Sequence, residues 1–137
     1  MKKVSKLDEY LFDLNGYLII KNALSKKELK DLNKILDKLK NLNNNEWAGY
    51  VHGHNYGGKE GLNLQQIYEA GKPFEKLIDH PSWINHMLHF VGGKNTFDQH
   101  HGPLFIDENF ANIRGPGEAI GIPVSYTHLR AHETMEY

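Results

Sequence analysis

Apolar positions at the start of the chain recur with a helical period. Leu7, Leu11 and Leu14, flanked by Val4 and Tyr10, fall on one helical face, and Asn15-Gly16 is placed to stop the helix. Tyr17-Leu18-Ile19-Ile20 is a short β-prone run bounded by Lys21-Asn22, and it predicts a strand. Ser25-Lys26-Lys27-Glu28 has the form of a capping box, in which the hydroxyl and the carboxylate satisfy backbone N–H groups reciprocally. Leu29, Leu32, Ile35, Leu36, Leu39 and Leu42 then share one face opposite lysines and aspartates, predicting a helix from Ser25 to Leu42. The asparagines between Asn41 and Asn45 end it. From Trp47 to Gly61 the mix of Gly, His, Asn and Tyr favours irregular backbone.

Leu62 to Ala70 fits either helix or strand, Pro73 opens a short turn through Leu77-Ile78, and Pro81 suits the first position of a further helix. Ile84, Met87, Leu88 and Val91 supply its apolar face, and Gly92-Gly93 terminates it. After Gly93 the pattern becomes strand-like. Leu104-Phe105-Ile106 and Phe110 to Ile113 are short β-compatible runs around Asp107-Glu108-Asn109, followed by a Gly115-Pro116-Gly117 turn. The expected class is α+β, with helices first and strands beginning late.

Composition narrows the function classes. The chain has 137 residues, enough for one modest domain, with 39% hydrophobic and 24% charged residues. A formal net charge of −1 gives no general attraction to nucleic acid or to an anionic membrane. The absence of cysteine excludes disulfides, thiolate metal sites and cysteine nucleophiles in this chain. No apolar run approaches the length of a membrane span, and the polar, Lys-containing start reads as neither signal nor transit peptide, so a cytoplasmic protein is expected.

The last segment has a different character. Val124 to Thr134 matches, residue by residue, one reading frame of a transposase-type sequencing-library adapter; Pro123 and Met135-Glu136-Tyr137 fit its flanks. Residues 123–137 are therefore set aside as technical sequence. This leaves 1–122, with basic and acidic side chains in balance and seven of the nine histidines. His132-Glu133, which imitates the first half of a zinc-protease helix, leaves with the tail; its partner position holds Glu136 in place of a second His.

The remaining histidines invite a metal hypothesis. In an extended segment His52-Gly53-His54 places both rings on one face, but the surrounding Gly and Asn read as loop and no third ligand is evident. His86 and His89 share a helical face without a carboxylate at ligand spacing on the same helix. Asp98, His100 and His101 form the densest cluster, but Asp98-Gln99-His100 is the reverse of a His-x-Asp pair, and neither His-x-Asp nor His-x-Glu occurs in the chain. Gly115-Pro116-Gly117-Glu118-Ala119-Ile120-Gly121 has the wrong spacing for a dinucleotide fingerprint and reads as a β-turn. No nucleophile elbow, P-loop lysine motif or Ca²⁺ loop is present.

Two stretches resemble a known family. Phe12-Asp13-Leu14-Asn15-Gly16-Tyr17-Leu18-Ile19-Ile20, followed by Ala23-Leu24-Ser25-Lys26-Lys27-Glu28-Leu29, resembles the opening of the phytanoyl-CoA dioxygenase family. Trp83-Ile84-Asn85-His86 with Val91-Gly92-Gly93, and then Phe105 through Glu118, is similar to the run leading into that family's metal-binding strand. The resemblance covers Met1 to Ile122. It implies a double-stranded β-helix (jelly roll, cupin-like) oxygenase using Fe(II) and 2-oxoglutarate to hydroxylate an unactivated C–H of a small-molecule or acyl substrate. It also implies that Asn112 and Arg114 lie near the cosubstrate; a polar strand face and a turn-flanking Arg are the alternative.

The family's His-x-Asp pair, distal His and oxoacid-binding Arg are expected beyond Ile122, so no present histidine is assigned to the iron. The expectation is the N-terminal part of a hydroxylase domain in 1–122, with the parent protein active and this chain inactive and carrying neither Fe(II) nor 2-oxoglutarate. A small helical module docking a partner through Ser25 to Leu42 is the alternative. A metal-binding protein using His52, His54, His100 and His101 is a third reading. A jelly roll needs about eight strands, and so few are legible here that sheet edges and apolar faces should stay uncovered. The expected outcome is a broad thermal transition; sharp, cooperative unfolding of a monomer with dispersed amide spectra contradicts it.

Overall fold

The computed structural model describes residues 3–55, 60–92, 100, 102–106 and 108–119. Gly93, Asp98, His101 and the 123–137 segment, all singled out above, lie outside the described residues.

Two serines start the first two helices by the same chemistry. Before α1 (Lys6–Asn15), Ser5 Oγ accepts the Asp8 N–H at 3.1 Å, while the Asp8 carboxylate accepts the Ser5 N–H at 2.9 Å. Before α2 (Lys26–Leu39), Ser25 Oγ accepts the Glu28 N–H at 3.2 Å and Glu28 Oε2 accepts the Ser25 N–H at 2.7 Å. Both are complete capping boxes. Gly16, at φ +74°, ends α1 in the left-handed conformation that glycine adopts without a Cβ penalty. Helix α2 stops three residues before the expected Leu42: the Leu42 N–H turns back to the Leu39 carbonyl, and the Asn43 N–H donates to Glu46 Oε2.

The segment expected to be a loop is a hairpin. β1 (Trp47–Ala48) and β2 (Val51–His54) pair antiparallel across Gly49-Tyr50, with Gly49 at φ +63°. β3 (Leu62–Gln65) pairs with β2, and β4 (Phe110–Ile113) pairs with β3, giving an antiparallel sheet in the order β1-β2-β3-β4. The protein is thus α+β, but three of the four strands among the described residues precede residue 66 rather than beginning late. Gly and His are weak strand formers by propensity alone; cross-strand pairing decides here. Conversely, Tyr17 to Ile20 and Leu104 to Ile106 are not strands, and Tyr17 and Ile19 are largely exposed. A β-prone run without a partner strand gains no ladder hydrogen bonds.

One face of the sheet and α2 share the core. Leu32 and Leu39 of α2, Val51 of β2 and Leu64 of β3 are buried together with Ile67 and Phe74. Ile67 opens a 3₁₀ turn (Ile67–Ala70), and Phe74 lies on the short α3 (Lys72–Glu75), which carries Pro73 in its first turn. α4 (Ile84–Phe90) begins three residues after Pro81. α1 has no buried residue, and Leu7 and Leu14 of its expected apolar face are exposed. It meets α4 instead through Phe12, whose ring stacks on Phe90 with centroids 4.3 Å apart.

The two capping-box carboxylates, and Glu9 beside Asp8, also face histidines of the 80–89 segment. Glu28 Oε1 lies 3.1 Å from His80 Nε2, Asp8 Oδ2 lies 3.6 Å from His86 Nε2, and Glu9 Oε1 lies 3.0 Å from His89 Nε2. Hydrogen bonds from the Ser25 hydroxyl and N–H, with His80, bring the Glu28 carboxyl down to about 2. The Ser5 N–H and hydroxyl, with a smaller share from His86, lower Asp8.

A carboxyl held low in the folded state stabilises the fold above its unfolded value and loses that contribution as pH falls through its folded value. Amide protection in the first turn of α2 should therefore fall between pH 4.5 and about 2, and Glu28→Gln should remove that step. Ser25→Ala should cost about 1 kcal/mol, read by hydrogen exchange as roughly a fivefold loss of protection in the same turn.

Candidate functional site

Strand alternation gives the sheet two unlike faces. Gly53, Leu64 and Ala111 are in register on the core side, as are Leu62 and Ile113. The opposite side carries two polar rows. One runs Trp47, His52, Gln65, Phe110; the other runs His54, Asn63, Asn112. His52 stacks on Trp47 at 4.5 Å, its Nδ1 lies 3.2 Å from Gln65 Oε1, and the His52 and His54 ring centroids are 5.8 Å apart.

Asn63 is the central residue of this face. Its residual exposure is 6%, and its Oδ1 is buried without a hydrogen-bond donor. An unsatisfied buried acceptor costs about 1–3 kcal/mol, so Asn63 is the costly polar position at the centre of this face. Asn112, singled out from sequence, is its cross-strand partner and is exposed. Arg114, the second such residue, follows β4 directly; its Nε donates to the Glu60 carbonyl at 3.2 Å, which ties the end of β4 to the start of β3. Asn112 and Arg114 thus lie two residues apart at one end of the β3–β4 pair.

Two glycines set this geometry. Gly61 has φ +76°, and a Cβ there would meet the Ile113 carbonyl oxygen, the Glu118 carboxylate and the Arg114 side chain. Glu118 in turn accepts the Gly115 N–H, closing the Gly115-Pro116-Gly117 turn. A Cβ at Gly53 would lie 2.8 Å from the Asn43 carbonyl oxygen, because the 43–46 turn is bonded across β2 through Gly53 itself. The glycine of His52-Gly53-His54 is therefore what lets that turn close over the strand while both histidines face the other way.

The described histidines do not converge as ligands. Among the described residues no group of three or more His, Asp or Glu side chains is arranged to hold a metal ion. His52 and His54 share the polar face, as an extended segment requires; His100 is exposed and outside every strand, and His101 and Asp98 lie outside the described residues. His86 and His89 do share a helical face, and it points at α1, where Asp8 and Glu9 meet them. Asn63 and Gln65 escape a motif search, yet Leu62-Asn63-Leu64-Gln65 alternates cleanly, which is the signal that could have found them. His80 is legible only through its contact with Glu28, distant in sequence.

Gly61→Ala should force strain at a positive φ and a clash with the β4 backbone. Exchange protection of the β3 amides is expected to drop at least about fivefold, since the strain alone costs of order 1–3 kcal/mol; unchanged protection contradicts this account of the β3–β4 junction. Comparison with protein-family models, with curated proteins and with solved structures finds no match to this chain.

Proposed function

We propose that residues 1–122 form the N-terminal part of a non-haem Fe(II)/2-oxoglutarate-dependent hydroxylase of phytanoyl-CoA dioxygenase type. The reaction converts O₂, 2-oxoglutarate and a C–H substrate into succinate, CO₂ and the corresponding alcohol. The observation that supports the reading best is the polar sheet face on which Asn63, Asn112 and His54 stand in register, with Arg114 at its end. An antiparallel sheet with one face on an apolar core and the other polar, with a buried acceptor lacking a donor, has the character of one wall of a jelly-roll chamber. The family resemblance implies that the iron ligands lie beyond Ile122, where they would hold the metal that activates O₂; the described residues supply the wall beside it.

In this reading Arg114 supplies a cation and Asn112 a hydrogen-bond donor to an oxoacid carboxylate at the rim of the wall. Both side chains are exposed, so a ligand can reach them. The substrate is a small molecule or acyl compound. The helical-module alternative has less support, since Leu32 and Leu39 of α2 are already buried in the chain's own core.

The test is turnover by a longer product of the same reading frame, supplied with Fe(II), ascorbate and 2-oxoglutarate. Succinate formation is expected, and Arg114→Ala or Asn112→Ala should raise the 2-oxoglutarate concentration for half-maximal rate by about tenfold, as loss of a hydrogen bond to a charged group implies. The 137-residue chain should form no succinate above a no-enzyme control. Succinate from the 137-residue chain, or a longer product indifferent to both substitutions, overturns the assignment.

A further inference from the structure

We propose that a second site, a cleft between α4 on one side and Leu104, Phe105, Ile106 and Glu108 on the other, binds a small amphipathic amine with an apolar body and a protonated head. This goes beyond the oxygenase reading and does not depend on it. The cleft has a volume of about 410 Å³, within the range of small-molecule sites. Trp83, Ile84 and Met87 form one wall, and Phe105 and Ile106 form the other. Trp83 is held in place on both its polar and its aromatic side: its indole N–H donates to the Leu77 carbonyl at 3.0 Å and its ring stacks with His80 at 4.4 Å. A wall fixed in this way loses little conformational freedom when a ligand arrives.

Charge selects the ligand class. The charged side chains lining the cleft are Asp79 and Glu108, both acidic, with no Lys, Arg or His among the described lining residues. Neither carboxylate has an ion-pair partner among the described residues, although Lys and Arg are about as frequent in the chain as Asp and Glu. An adjoining groove shares Tyr68, Ile78 and Ile106 with the cleft and adds Glu69, again with no cation among the described lining residues. It also contains Asn109, whose Oδ1 is buried without a donor. An ammonium group is the complement to this rim. It pairs with the carboxylates and can lie against the aromatic faces of Trp83 and Phe105 as a cation–π contact, while an alkyl or aryl body covers apolar surface that the chain leaves open. An anionic amphiphile of the same shape meets two uncompensated like charges.

The experiment uses the full 137-residue chain with three probes sharing one body: octylammonium, octanol and octanoate. Trp83 fluorescence in a Trp47→Phe background reads the cleft, and calorimetry gives the affinity. Octylammonium should bind at least about tenfold more tightly than octanoate, from attraction of one head group and repulsion of the other. In Asp79→Asn/Glu108→Gln the two should come within about twofold, and Ile106→Arg, at a side chain 46% exposed, should abolish octylammonium binding without unfolding the chain. Equal or tighter binding of octanoate, or a preference unchanged in the double variant, overturns the proposal. So does a Trp83 signal that follows protein concentration and not probe, which would assign the cleft to a second copy of the chain.

Discussion

Leu64 sits at the middle of β3 with no solvent exposure, bonded through its strand to β2 on one side and β4 on the other. Because side chains alternate along a strand, the burial of Leu64 decides the facing of every other sheet position. It puts Leu62 on the core side and Asn63 and Gln65 on the other, and pairing carries that choice outward to His52 and His54 on β2 and to Phe110 and Asn112 on β4. A slip by one residue would send Asn63 into the apolar cluster beneath α2 and expose Leu64. Taking a fully buried leucine out of the core costs about 1.5–3 kcal/mol, so the register is strongly specified, and with it the composition of the polar face.

The helices support that arrangement rather than build the site. α2 covers the core side of the sheet, while α1 lies apart from the core and is joined to α4 by one aromatic pair and by carboxylate–histidine contacts. Asp8 and Glu28 each serve twice, capping a helix from within and meeting a histidine from the 80–89 segment. Helix initiation and docking of that segment therefore share the same two charges, which makes them respond together to acid. Trp83, one wall of the acidic cleft, belongs to the same segment, so its position also depends on how firmly His80 is held.

Local signals were legible wherever the chemistry was local. Ser25 and Glu28 announced a capping box, Gly16 a helix stop, Leu32 and Leu39 a buried stripe, and Gly115-Pro116-Gly117 a turn, and each lies where expected. Elements that depend on partners distant in sequence were not legible. Trp47 to His54 reads as loop because glycine and histidine carry little strand propensity, yet β3 supplies the missing hydrogen bonds. Tyr17 to Ile20 has the propensity and lacks the partner. Leu7 and Leu14 have helical spacing, but α1 presents Phe12 and its acidic residues to α4. Asn112 and Arg114 were singled out by resemblance alone, and β3 brings Asn112 opposite Asn63, a pairing no spacing within one motif could announce.

We propose that the polar face of this sheet belongs to a larger oxygenase chamber whose remaining strands carry the metal ligands. The most direct test of this proposal is the coding sequence of the source DNA read past the codon for Ile122. The account predicts β-patterned sequence with a His-x-Asp pair soon after that point, followed by a further His and an Arg. A stop codon near Ile122, or continuation into sequence without those residues, contradicts it.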